Sequence, residues 1–169
     1  LFRSRLGVDR EVDFLIGAQD DVRALVAEQA ARFEGGVACI LIDEAQVLTP
    51  AQVDEANPRP ENKHGHIVEI TEDGGDLRSR TFTWSVVLVC GDPAAAGTYF
   101  AGFPHELVAP ISCPDNIAFD SVGNLWVATD GAPNTIAKAD GLFKVPLEGR
   151  QRGHVQQFLA VPIDAETCG

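Results

Sequence analysis

A chain of 169 residues has room for one ordinary domain or two small ones. With 45% hydrophobic and 22% charged residues it can bury a core, so disorder is not its default state. Its formal net charge of -12, from 25 acidic against 13 basic residues, argues against a nucleic-acid partner gripped through phosphates, because no basic stripe exists to displace counterions. The same carboxylate excess fits hard cations such as calcium, or plain solubility. No apolar run is long enough to span a bilayer. The four cysteines, Cys39, Cys90, Cys113 and Cys168, form no CxxC pair, so structural zinc has little support. Their even number permits disulfides; buried or loose thiols are the alternative. The chain opens on Leu1-Phe2-Arg3 with no methionine and no apolar signal region, which reads as a fragment or a processed chain.

The first predicted element is a helix over Asp20–Phe33. Val22, Leu25, Val26 and Phe33 make its apolar stripe, Asp20 and Asp21 suit its start, and Gly35-Gly36 stop it. Val37–Ile42 follows as an unbroken apolar strand, expected in a parallel sheet covered on both faces. It ends in Asp43-Glu44, at the end of a strand where ligands sit in open αβ sheets. Thr49-Pro50 begins a second helix. An aspartate so placed can hold a magnesium-bound water, and a glutamate can take a proton from a hydroxyl nucleophile.

The wording VDREVDFLIGAQDDV and ILIDEAQVLTPAQVDE, over about Leu6–Glu55, resembles bacterial thymidine kinases. The resemblance implies Asp43 as the magnesium-side acid and Glu44 as the base. That family's phosphate-cradling glycine-rich loop, thymidine-binding segment and zinc cysteines are missing here, and Val47 stands where an aromatic residue is expected. The stretch is therefore expected to be a structural αβ piece without kinase activity.

Asp54–Asn62 carries two prolines and two asparagines and ends the helical pattern. His66–Ile70 then alternates, Thr71–Asp76 turns, and Phe82–Cys90 makes another strand. The expected organisation is an αβ fragment over residues 1–56 and an antiparallel, all-β segment over 57–169, with a boundary near Ala56. Ala94–Pro110 reads as a long Ala-, Gly- and Pro-rich loop.

Next comes SCPDNIAFDSVGNLWVATDG. Ile117 and Phe119 share one side of an extended run, Leu125 and Val127 one side of the next, and Asp120–Asn124 supplies the turn. Gly141–Leu147 and His154–Val161 add two more strands. Four short strands in succession are the pattern of a propeller blade. The segment holds one full blade and about half of another, so open sheet edges are expected to take up missing blades or to self-associate.

The order of NPRPENKHGHIVEI, FTWSVVLVCGDP, SCPDNIAFDSVGNLWVATDG, GLFKVPLEG and AVPIDAETCG, over Asn57–Gly169, resembles the PhoX-type bacterial alkaline phosphatases. The resemblance implies a six-bladed propeller, a calcium and iron cluster on its axis, and a phosphate monoester as substrate. A kinase-like piece followed by a phosphatase-like one reads as a chimeric or truncated chain, incomplete as an enzyme. The compartment follows the parent: periplasmic or secreted for the phosphatase, cytoplasmic for the kinase.

Metal-dependent ester hydrolysis needs carboxylates converging on cations and a positive group for the phosphate. The candidate ligands are Asn57 and Asn62 in the NPRPEN loop, Asp115 and Asn116 before the hairpin, Asp130 at a strand end, and Glu166, the last by resemblance. Arg59 is the candidate phosphate contact. For Asp115 and Asp130 a turn-capping role is the alternative, and at Asp130 the better one. Cys113 or Cys168 touches iron as a thiolate or stays an inert buried thiol, the latter being favoured. His64, His66, His105 and His154 show no metal spacing, and His66 is expected to face outward. The Asp-x-x-Gly-Asn-Leu-Trp hairpin also resembles gluconolactonase-like and NHL-type propellers, so a non-catalytic β module is the rival reading.

Overall fold

In a computed structural model, the residues described are 2–4, 12–14, 37–42, 53, 55, 58–75, 79–163 and 165–167, with backbone alone for the first three stretches. The predicted helices over Asp20–Phe33 and from Thr49, and the candidates Asp43, Glu44, Asn57 and Cys168, lie outside them.

Strands β1 (Phe2–Ser4) and β2 (Val12–Phe14) pair antiparallel. The apolar run Val37–Ile42 is strand β3, as expected. Its neighbour is β4 (His66–Glu72), and the pairing is antiparallel along all six residues, from Val37↔Thr71 to Ile42↔His66. This corrects the expected parallel sheet. An unbroken apolar run carries no information on the direction of the neighbour.

β4 pairs with β5 (Phe82–Val89), and β5 with the short β6 (Tyr99–Phe100), giving the order β3-β4-β5-β6. β6 interrupts the expected loop Ala94–Pro110. Phe100 is wholly buried and pairs with Leu88, so this stretch contributes a core side chain. One aromatic ring outweighs the Gly and Pro around it, since burying it fully stabilises by about 1.5–3 kcal/mol.

The second sheet is β7 (Pro114–Phe119), β8 (Asn124–Thr129), β9 (Gly141–Pro146) and β10 (Gln156–Ala160). The strands follow in sequence order and every neighbouring pair is antiparallel. This is the four-stranded meander read from the sequence. Helix α1 (Ala132–Ile136) lies between β8 and β9, started by the buried Asp140 carboxylate, which accepts the backbone N–H groups of Gly131 and Ala132 at 3.1 and 3.0 Å.

The two sheets share one hydrophobic cluster. Ile67, Val87, Leu88 and Phe100 come from the first, Leu125, Val127, Phe143 and Val145 from the second. Period-2 alternation explains the choice on β8: Leu125 and Val127 point inward while Trp126 lies between them on the other face. Outside the core, Arg152 clamps the sheets together. Its guanidinium pairs with the Glu69 carboxylate on β4, donates to Ser85 Oγ on β5 at 3.3 Å, and donates to the carbonyl of Leu147.

Candidate functional site

The approach to β4 is Pro58-Arg59-Pro60-Glu61-Asn62-Lys63-His64-Gly65. The chain turns tightly there: Lys63 N–H donates to Glu61 O at 2.7 Å, and Glu61 takes a left-handed φ of 48°. The turn folds Arg59 back over Asn62. Arg59 Nε donates to Asn62 Oδ1 at 3.1 Å, and Nη2 donates to the same oxygen and to Cys90 O at 2.7 Å. Nη1 makes a long contact of 3.4 Å to Gly97 O. All three acceptors are neutral, and among the described residues no carboxylate pairs with Arg59. Burial pushes the half-buried guanidinium down from its ordinary pKa.

Asn62 is 1% exposed and His66 is wholly buried. With its carbonyl turned to Arg59, the Asn62 amide donates through Nδ2 to His66 Nδ1 at 2.9 Å. The expectation that His66 faces outward is thus corrected. Alternation alone put it outside, but β4 carries an irregular register between Ile67 and Val68, and a polar partner waits within the fold. Gly91, at φ 147°, closes the floor of this region. A Cβ there would lie 2.9 Å from Thr98 Cγ2 and 3.7 Å from both Arg59 Nη1 and the His64 ring. Glycine keeps those groups close together.

A second polar line runs from the same turn to helix α1. His64 Nδ1 lies 3.0 Å from Ser112 Oγ, which lies 2.7 Å from Thr135 Oγ1 on α1. Burial first, then the positive charges of Arg59 and Lys63, hold the His64 imidazole below its ordinary pKa. Three potentially cationic side chains therefore meet in a chain of net charge -12. Backbone bonds fix the junction: Cys113 N–H donates to His64 O at 3.0 Å and Asp130 N–H to Cys113 O at 2.9 Å. Cys113 itself is buried with φ 53°.

The remaining candidates gather at this end of the second sheet. Asp115 sits in the register irregularity of β7 between Pro114↔Thr129 and Asn116↔Ala128. Asp130 follows β8 directly. Glu166 is brought alongside by its neighbour Thr167, whose hydroxyl donates to Thr129 O at 2.8 Å and accepts from Thr129 N–H at 3.2 Å. The oxygen donors are of the kind calcium takes. Among the described residues, however, no three His, Cys, Asp or Glu side chains come together closely enough to hold a metal ion. The sequence reading missed His64, Ser112, Thr135 and Asp140. His64 had a signal in its neighbours Arg59 and Lys63; Ser112 and Thr135 are brought together only by tertiary folding.

Residues 18–169 match the family model described as alkaline phosphatase PhoX. Among solved structures the chain is similar to Pseudomonas fluorescens PhoX in complex with vanadate, a transition state analogue, at 25% identity and a TM-score of 0.59. The likeness covers 77% of this chain and 23% of that one, so this chain spans less than a quarter of the solved relative. No curated protein matches it. The family match begins well before Ala56 and so runs across the expected boundary.

Proposed function

The chain belongs to the alkaline phosphatase PhoX family, and on that premise we propose that the turn at Arg59 receives the phosphoryl group of a phosphate monoester. The observation that carries this reading is the Arg59 guanidinium, half buried, held by neutral acceptors and paired with no carboxylate among the described residues. Such a group keeps its full charge for an incoming anion, and Nη1, whose contact to Gly97 O is long, keeps an N–H for one phosphoryl oxygen. Donors fixed before the substrate arrives stabilise developing charge without reorganising. Lys63 adds to the positive potential on the same turn, while the lowered pKa of His64 keeps its ring neutral.

Calcium, with iron, is the cofactor set this reading implies. Asp115, Asn116, Asp130 and Glu166 are the oxygen donors this chain would bring to it. No three His, Cys, Asp or Glu side chains among the described residues converge, so no chemical step is routed through a metal here. Turnover is proposed to need more of the propeller than these 169 residues, because the chain spans 23% of the solved relative. The periplasm or the exterior is the compartment that fits.

Calorimetric titration of the purified chain with inorganic phosphate tests the proposal. Binding is expected, and Arg59→Ala should weaken it at least about tenfold. Equal affinity of the variant and the parent would refute the role of Arg59. With calcium and iron added, the chain alone should release no p-nitrophenol from p-nitrophenyl phosphate; release would show that these 169 residues suffice.

A further inference from the structure

We propose that Asn62 is a positioning residue that holds the Arg59 guanidinium without neutralising it, and that this neutrality makes Arg59 an anion receptor. The inference rests on the reading of Arg59 given above.

The molecule contains its own comparison. Arg152 and Arg59 are both partly buried and both donate to a backbone carbonyl. Arg152 pairs with a carboxylate, Glu69, as expected in a chain with 25 acidic residues. Its charge is matched, and its role is to join the sheets. Arg59 in the same position of choice takes an amide oxygen. That oxygen accepts both Nε–H and Nη2–H, so it fixes the plane of the guanidinium as a carboxylate oxygen would. It contributes no negative charge.

The orientation of the amide is also determined. Two donors from Arg59 face one end of Asn62, so that end must be the carbonyl oxygen. The NH2 end then faces His66 Nδ1, 2.9 Å away, which presents a lone pair to it. Both partners of the amide are satisfied, and the side chain is 1% exposed. A buried amide fixed at both ends is rigid, and so is the guanidinium it holds. This differs from the cation-ligand role expected for Asn62 from the sequence, which would require the carbonyl oxygen that Arg59 occupies.

Asn62→Asp separates holding from neutrality. It keeps the size and the acceptor, and adds one negative charge beside Arg59. Measured at about pH 8.5, where an ordinary imidazole is neutral, the variant should bind inorganic phosphate at least about tenfold more weakly than the parent. The change also removes the Nδ2–H donor to His66 Nδ1, so a melting curve is taken only to establish that the variant is folded. Binding within about twofold of the parent would overturn the inference and leave the reading of Arg59 intact, as the Arg59→Ala titration would show. If Asn62→Asp does not fold, the Asn62→Ala exchange measurement below decides, an unchanged Arg59 Nε–H signal overturning the inference.

The second arm needs no anion. In an NMR spectrum the Arg59 Nε–H signal should be protected from exchange in the parent and in Asn62→Asp, and lost in Asn62→Ala. An unchanged signal in Asn62→Ala would show that Asn62 does not hold Arg59. A parent chain that binds no phosphate would overturn the proposed function, and the charge argument with it.

Discussion

Asp120 shows what a carboxylate does when its partners are all its own backbone and neighbours. Oδ1 accepts the N–H groups of Val122 and Asn124 at 3.0 and 2.9 Å, and Oδ2 accepts Asn124 Nδ2 and Trp126 Nε1 at 2.8 and 3.1 Å. The Asn124 side chain above all, with the other donors, holds its pKa far below the usual carboxylate range. With four donors in place, Asp120 is a turn residue, and no lone pair is left waiting for a ligand. A depressed carboxylate pKa stabilises the fold above the unfolded value and stops doing so as pH falls. Asp120→Ala should therefore melt below the parent at neutral pH, and the gap should narrow as pH drops below about 4. A gap of constant size in a melting series from neutral to acid would refute the charged-acceptor account. Arg59 is the opposite case, a charge whose partners leave it unmatched.

At the scale of elements, the join between β4–β5 and the segment after β9 depends on Arg152. Its bonds to Glu69, Ser85 Oγ and Leu147 O bridge residues up to 83 apart in sequence. Arg152→Ala should lower unfolding free energy by about 1–3 kcal/mol in urea titration, the range for partly buried charged hydrogen bonds. Arg152→Lys should recover little, because a lysine cannot make the two-pronged contact; full recovery by lysine would show that charge alone matters. The β7–β8 hairpin was legible in the sequence because Asp120–Asn124 interrupts two period-2 runs, and turn chemistry is local. β9 and β10 were legible for the same reason. The direction of β3 was not, since its all-apolar run fits either orientation. His66 was misjudged because its burial is decided by Asn62 and by an irregular strand register, neither visible in alternation. Of the candidate site, Arg59 was proposed from its wording, while its contacts to Cys90 and Gly97, and those of its neighbour His64 with Ser112 and α1, are products of folding.

At the scale of the molecule, two four-stranded sheets bury a common core. Each carries one tryptophan, Trp84 on β5 and Trp126 on β8. Shared burial makes the sheets unfold together. Trp84→Phe and Trp126→Phe, followed by fluorescence in urea, should each show one transition, and after correction for the stability of each variant the midpoints should coincide. Separated midpoints would mean that each sheet stands alone. One small contact ties the meander to a residue beyond its last strand. Thr129 N–H donates to the hydroxyl of Thr167, 38 positions later in the chain, and that hydroxyl also bonds Gly141 O at 3.1 Å. During synthesis the meander is finished when Ala160 leaves the ribosome, yet its fastening has not been made. Slow deuterium uptake at the Thr129 amide is therefore expected only once Thr167 has docked.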